Sequence, residues 1–178
     1  MALSDKKVAF LLTRGVEQIE LTSPRKALDE AGAQTFIVSP SEGTLQAMEG
    51  DWEHAEVFDV DVPIADANAD DYDMLVLPGG TLNADSLRLD ADASKLVEAF
   101  FAADKPVAAI CHAPWILAQT GLAKGRKLTS YESIKVDMQN AGAAWEDSEL
   151  VVDGNLITSR NPGDLEVFNA ALVEALSK

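Results

Sequence analysis

A short apolar run leads into a cysteine and then a proline in PVAAICHAPW, residues 106–115. Residues 107–110 favour a β-strand and are too few for a helix, whereas Pro114 suits the first turn of a helix. Cys111 is therefore predicted at a sharp junction between a buried strand and a helix. Such an elbow holds a nucleophilic side chain up and out of the packed sheet.

Cys111 is the one cysteine in the chain, and two interpretations of it stay open at this point. The unpaired N–H groups at a helix N-terminus stabilise a thiolate and lower the thiol pKa below about 8.5. A free cysteine is also often a buried, inert core residue. Because no internal disulfide can form and the first residues lack an apolar signal core, we expect a cytoplasmic protein.

Strand patterns alternate with helix patterns along the chain, which predicts an α/β fold with a mostly parallel sheet and helices on both faces. A helix is predicted to begin with Ser23 as its cap and Pro24 in its first position and to end at Gly32. Asp153 and Gly154 predict a hairpin turn. The chain of 178 residues fits one domain, residues 1–178. Further strands are predicted at residues 7–13, 34–38 and 74–77, and further helices at residues 93–102, 134–140 and after Pro162.

The chain is strongly acidic, with a net charge of -16. Nucleic acids and anionic membranes bind basic surfaces, so neither is an expected partner. No apolar run is long enough to span a membrane.

Three predicted strand ends carry groups suited to chemistry, and ligands bind at this edge of open α/β sheets. They are the segment at residues 13–20, the glycines Gly79 and Gly80, and the pair Cys111 and His112. If they lie together, they place a carboxyl group, bare backbone N–H groups and a thiol around one pocket.

The chain resembles the ThiJ/PfpI superfamily, and most closely its PfpI branch. The resemblance is carried in order by VEQIEL at 16–21, LPGG at 77–80, AICHAP at 109–114, LTSY at 128–131, IKVDMQNAG at 134–142, VDGN at 152–155 and SRNPGDL at 159–165. It implies a flavodoxin-like three-layer sandwich that works as a homodimer or a larger homo-oligomer.

The resemblance makes Cys111 the nucleophile and Glu17 the carboxyl group that faces its sulfur. A buried, protonated Glu17 would donate a hydrogen bond to the thiolate and shuttle protons. The alternative for Glu17 is an exposed loop carboxylate. Glu20 is interpreted as a carboxylate at the start of a helix.

Gly79 and Gly80 are candidate oxyanion donors because glycine lets the main chain approach a ligand closely. The resemblance favours Gly80, with the His112 N–H as the second donor. An ordinary turn after a strand is the alternative.

His112 corresponds to the catalytic base of PfpI-type peptidases, where an acidic residue of a neighbouring subunit orients it. The nearest match to that acid is Asp85 in TLNAD, residues 81–85, on a segment that is one residue longer. His112 is therefore either a base or a bystander. Tyr131 is a candidate pocket residue or a core tyrosine.

The second histidine, His54, is interpreted as a surface residue. With one cysteine and two distant histidines we expect no metal site, and we expect no cofactor. No histidine follows His112, which excludes the glutamine amidotransferase arrangement.

Three functions fit these residues. The first is a stress-protection enzyme for reactive carbonyls, like a glyoxalase or protein deglycase, with Cys111 as nucleophile and Glu17 as proton shuttle. The second is an intracellular cysteine peptidase that uses Cys111 and His112 on a peptide. The third is a non-catalytic redox sensor in which the Cys111 thiol is oxidised. We favour the first, on a small carbonyl substrate.

Overall fold

A seven-stranded sheet forms the centre of the computed structural model, which describes residues 3–178. The strands are β1 Lys7–Leu11, β2 Gln34–Ser39, β3 Thr44–Glu49, β4 Glu53–Asp59, β5 Val62–Pro63, β6 Met74–Leu77, β7 Val107–Ile110, β8 Lys127–Leu128, β9 Ala144–Trp145, β10 Val151–Asp153 and β11 Leu156–Ser159. The helices are α1 Gln18–Glu30, α2 Thr81–Leu87, α3 Ala91–Ala102, α4 Trp115–Gln119, α5 Lys135–Asn140 and α6 Leu165–Leu176.

The strand order in the sheet is β10-β11-β7-β6-β1-β2-β5. Every neighbouring pair is parallel except β10 and β11, which form the hairpin that the sequence predicted. Strands β6 and β7 are buried along their whole length, because helices cover both faces of the sheet.

The two faces of the sheet have separate apolar cores. Helices α1 and α6 supply Leu21, Leu28 and Phe168 to one core. Helix α3 supplies Val97 and Phe100 to the other, together with side chains of α2, α4 and α5. The predicted α/β fold of flavodoxin-like type, with helices on both sides of a mostly parallel sheet, is confirmed.

Helix α1 begins at Gln18, six residues before Pro24, so the predicted start at Ser23 and Pro24 is wrong. Proline lacks the N–H that would bond to the carbonyl of the residue four positions earlier, which normally disfavours the interior of a helix. Here Pro24 lies on the buried face with Leu21 and Leu28. Apolar packing of this face therefore outweighs the local preference of proline.

Strands β3 and β4 form an antiparallel hairpin outside the main sheet. The loop after β1 runs beside β3, where the Met48 N–H donates to the Val16 carbonyl at 2.8 Å. The hairpin turn at Gly50 and Asp51 thereby comes to the carboxyl-end edge of the sheet. In residues 3–178, none of the helices has both the length and the apolar character needed to cross a membrane.

Candidate active site

Cys111 lies at a strained elbow between β7 and α4. Its φ angle is 64°, a left-handed conformation that is uncommon for residues other than glycine. Its N–H donates to the Ser159 carbonyl at 3.1 Å, and its carbonyl accepts from the Tyr131 N–H at 2.7 Å. The neighbouring elements thus hold the backbone that presents the thiol.

The carboxyl group next to the Cys111 thiol belongs to Glu20. A Cβ atom added to Gly79 would overlap both Glu20 Oε2 and the Cys111 Cβ, so the two side chains meet across this glycine. Glu20 is fully buried in the first turn of α1. Its oxygens lack a hydrogen-bond partner of standard geometry among residues 3–178, although they lie close to the thiol and to the Gly79 backbone.

This environment favours the neutral form of Glu20. Burial raises the pKa of Glu20 to about 8, so near pH 7 it is mainly a carboxylic acid. Burial raises the pKa of the Cys111 thiol, whereas the N–H groups of Gly80 and His112 lower it. A neutral Glu20 carboxyl can also donate a hydrogen bond to the thiolate, which favours the charged form of sulfur. These effects oppose one another, so the lowered thiol pKa expected from the sequence stays a prediction. Cys111 is buried, and α4 begins four residues later at Trp115.

Glu17 lines the same cavity but does not face the sulfur as expected. It is the N-cap residue of α1, and its Oε2 accepts a hydrogen bond of 2.8 Å from the Gly50 N–H. Glu17 has an extended backbone, with φ -68° and ψ 116°, whereas Glu20 is within the first turn of α1. The helix points Glu20 into the core toward Cys111 and leaves Glu17 half-buried at the cavity mouth.

Gly79 and Gly80 have different surroundings. The Gly80 N–H and the His112 N–H face the sulfur, as expected for an oxyanion pair. The Gly79 backbone instead faces the Glu20 carboxyl. Gly80 has a φ of 90°, and a Cβ there would overlap the Gly15 carbonyl, so only glycine fits where these two loops meet.

The His112 ring reaches the sulfur, with Nδ1 3.1 Å from Cys111 Sγ. Its Nε2 lies 2.9 Å from the Ser133 hydroxyl. Tyr131 stacks on the ring at a centroid distance of 4.6 Å and lines the cavity. Burial lowers the pKa of His112, so the neutral ring can accept the thiol proton through Nδ1.

Asp85 is not part of this cavity within the chain. It lies on α2 and forms an ion pair of 2.8 Å with Arg88, and it is absent from the residues that line the site. In the chain itself, Ser133 is the residue that contacts the far side of the His112 ring.

The hairpin turn between β3 and β4 closes one side of the cavity. Asp51 accepts hydrogen bonds from the Thr81 N–H at 3.0 Å and from the Thr81 hydroxyl at 2.6 Å. Thr81 is the first residue of α2 and follows Gly80. Asp51 therefore fixes the segment that carries the Gly80 N–H.

Glu20, Ser133 and Asp51 were not predicted as site residues. Glu20 could have been found from its spacing, because it precedes Pro24 and Leu28 by four and eight residues on the buried stripe of α1. Ser133 and Asp51 make contacts between distant segments and left no periodic signal in the sequence.

Comparison with known proteins places the chain in a family. The family model described as the DJ-1/PfpI family matches residues 6–175. The Bacillus subtilis protein YraA, named as a candidate cysteine protease, is 44% identical over 92% of this chain and 94% of its own length. The deglycase PfpI of Pyrococcus furiosus is 41% identical over 96% of this chain and 99% of its own.

A solved structure shows the same fold. DJ-1beta of Drosophila melanogaster superposes with a TM-score of 0.87 at 30% identity, covering 97% of this chain and 91% of that one. Sequence and fold therefore agree along nearly the whole length, and the chain belongs to the DJ-1/PfpI family.

Proposed function

We propose that the protein is a cysteine-dependent enzyme that acts on small reactive carbonyl compounds, as a glyoxalase or protein deglycase does. The observation that carries the proposal is the buried, mainly neutral Glu20 carboxyl beside the Cys111 thiol. An acid in this position can protonate a carbonyl oxygen as sulfur attacks the carbonyl carbon. The deglycase name of a relative that matches nearly the whole chain supports the same class.

The first step forms a hemithioacetal on Cys111. The sulfur bonds to the carbonyl carbon, and the thiol proton passes to His112 Nδ1. The carbonyl oxygen takes the proton of Glu20, and the N–H groups of Gly80 and His112 stabilise the negative charge that develops there.

For a 2-oxoaldehyde, the second step needs a base, and Glu20 has become one. Its carboxylate removes the proton from the hemithioacetal carbon and returns a proton to the neighbouring carbon, while the hydroxyl proton passes to the oxygen on that neighbouring carbon. The result is a 2-hydroxyacyl thioester. Water then hydrolyses the thioester, which releases the 2-hydroxy acid and restores the thiol, with no oxidant or reductant required.

The test is the rate of methylglyoxal loss with the purified protein. We expect Cys111→Ser to abolish turnover and Glu20→Gln to lower kcat at least about a hundredfold, since a proton-transfer group is worth about 10² to 10⁴ in rate. The matched variant Glu98→Gln removes an exposed carboxylate of α3 and should keep full activity. Turnover that survives Cys111→Ser would overturn the proposal.

A second candidate is a cysteine peptidase, favoured by the 3.1 Å contact between His112 Nδ1 and Cys111 Sγ. In both functions His112 Nδ1 accepts the thiol proton, so the substrate that is turned over, a peptide or a small carbonyl compound, separates the two functions. Cleavage of a fluorogenic peptide library that His112→Ala abolishes would support the peptidase. An absence of both carbonyl and peptide turnover would favour the redox-sensor alternative.

A further inference from the structure

The cavity around Cys111 has an unusual balance of charge. It has a volume of about 510 Å³, and three carboxyl side chains but no lysine or arginine line it. None of the three forms an ion pair with a cation elsewhere in residues 3–178. The carboxyl side chains are those of Glu17, Glu20 and Asp51.

Glu20 points to the kind of group that binds at the sulfur. It is fully buried and lines the cavity, and its oxygens have no partner of standard geometry among the described residues. A neutral carboxylic acid in this state has a proton to donate. Its natural partner is an uncharged acceptor such as a carbonyl oxygen.

Glu17 and Asp51 make the mouth of the cavity negatively charged. Glu17 Oε2 is bound to the Gly50 N–H, and both Asp51 oxygens are bound to Thr81. These hydrogen bonds hold the two carboxylates beside the entrance but do not neutralise their charge. The field at the entrance is therefore negative.

We infer that this site selects carbonyl compounds by charge: it accepts neutral or cationic carbonyls and rejects those that carry a carboxylate. The inference rests on the proposed function and deepens it. Methylglyoxal and a carbonyl adduct of a lysine or arginine side chain belong to the accepted class, whereas glyoxylate and 2-oxo acids belong to the rejected class. The same field favours release of the anionic 2-hydroxy acid that turnover produces.

The test compares two reagents that differ in charge but alkylate a thiol by the same displacement of iodide. Iodoacetamide is neutral and iodoacetate is an anion, and Cys111 is the one thiol in the chain. The rate ratio is the rate with iodoacetamide divided by the rate with iodoacetate. We expect this ratio at Cys111 to exceed the ratio for a small free thiol by about tenfold, because two partly screened carboxylates near the sulfur repel the anion.

The variants identify the source of the selectivity. Glu17→Gln keeps an oxygen for the Gly50 N–H and removes the charge, so it should lower the rate ratio about threefold to tenfold. Asp51→Asn should act in the same direction. Glu98→Gln makes the same change in net charge far from the cavity and should leave the ratio unchanged. A wild-type ratio equal to that of the free thiol, or an equal effect of Glu98→Gln, would overturn the inference.

Turnover separates this inference from the proposed function. Loss of methylglyoxal at least tenfold faster than loss of 4,5-dioxopentanoate, a 2-oxoaldehyde that also carries a carboxylate, would support both. Equal consumption of the two compounds would overturn charge selection and leave the carbonyl enzyme standing. Selective alkylation without any carbonyl turnover would overturn the proposed function while supporting selection by charge at the thiol.

Discussion

At the scale of single residues, the site depends on the pairing of Cys111 with Glu20. Burial keeps the Glu20 carboxyl mainly neutral, and attack by sulfur requires the Cys111 thiol to give up its proton. His112 Nδ1 is in place to accept that proton. Cys111 itself was predictable, because the apolar strand and the proline on either side of it define the elbow. It was not predictable that Glu20 rather than Glu17 contacts Cys111, because this depends on where α1 begins.

The raised pKa of Glu20 predicts how stability changes with pH. The carboxyl ionises near pH 4.5 in the unfolded chain and near pH 8 in the folded protein. Between these values the folded state binds more protons, so the free energy of unfolding falls as pH rises through this window. Above the pKa of Glu20 in the folded protein, this carboxyl is ionised in both states, and its contribution to the free energy of unfolding no longer changes with pH.

Glu20→Gln should remove that dependence. We expect the Tm of the wild-type protein to fall more steeply from pH 5 to pH 8 than the Tm of the variant. At pH 8 the variant should be the more stable of the two. Thermal unfolding followed by circular dichroism measures this. Parallel curves for the two proteins would show that Glu20 is ionised in the folded state.

Ser133 is predicted to position His112. When the Ser133 oxygen accepts a hydrogen bond from the Nε2–H group, Nδ1 carries no proton and faces the thiol as an acceptor. Ser133→Ala should slow alkylation of Cys111 by iodoacetamide about threefold to tenfold, the worth of one hydrogen bond, and Ser133→Thr should restore the rate.

Nitrogen NMR gives a readout that a purely structural role for Ser133 would not change. The chain has two histidines, and the exposed His54 serves as an internal reference. Ser133→Ala should shift the His112 tautomer population and leave the His54 signals unchanged. An unchanged His112 tautomer would argue against positioning by Ser133.

At the scale of elements, the strand ends bring the site together. The buried runs that form β6 and β7 and the glycines after β6 could be predicted from composition and turn chemistry. The start of α1 could not, because tertiary packing of its buried face overrides the preference of Pro24 for a helix start. The contacts of the β3–β4 hairpin with the site also escaped prediction, since they join segments far apart in the chain.

The link between the hairpin and α2 gives a prediction at this scale. Asp51 caps α2 from a separate element through both oxygens. Asp51→Ala should lower the free energy of unfolding by about 1 to 2 kcal/mol, as for loss of a helix cap. It should also slow the reaction of Cys111, because the Gly80 N–H loses its support.

Urea denaturation and iodoacetamide kinetics on the same samples measure the two effects. Asp51→Asn keeps one acceptor oxygen and should give an intermediate loss of stability. If the free energy of unfolding of Asp51→Ala equalled that of the wild-type protein, the contacts of Asp51 with Thr81 would not stabilise α2.

At the scale of the whole molecule, the sequence predicted the layered α/β architecture well. It depends on patterns that repeat along the chain, namely buried strands that alternate with amphipathic helices. Assembly depends on surface complementarity, which has no such period. The exposed apolar side chains include Trp52 at the hairpin turn and Leu89 after α2, and such groups are candidates for contact with another copy.

We predict a homo-oligomer, as the family resemblance implies. Sedimentation should give a mass of at least twice the 19.0 kDa of one chain. Trp52→Ser and Leu89→Ser, tested separately, should identify which of the two surfaces is covered. A species of 19.0 kDa at micromolar concentration would contradict the prediction.

The edges of the sheet limit how copies can meet. One edge strand, β5, has two residues and ends in Pro63, and the other, β10, has three residues. Proline has no N–H to offer to an added strand, and short edges provide little ladder to extend. A continuous sheet running from one copy into the next is therefore disfavoured. Helices, loops and the separate β3–β4 hairpin remain for assembly, and the main sheet resists the strand addition by which sheets grow into fibrils.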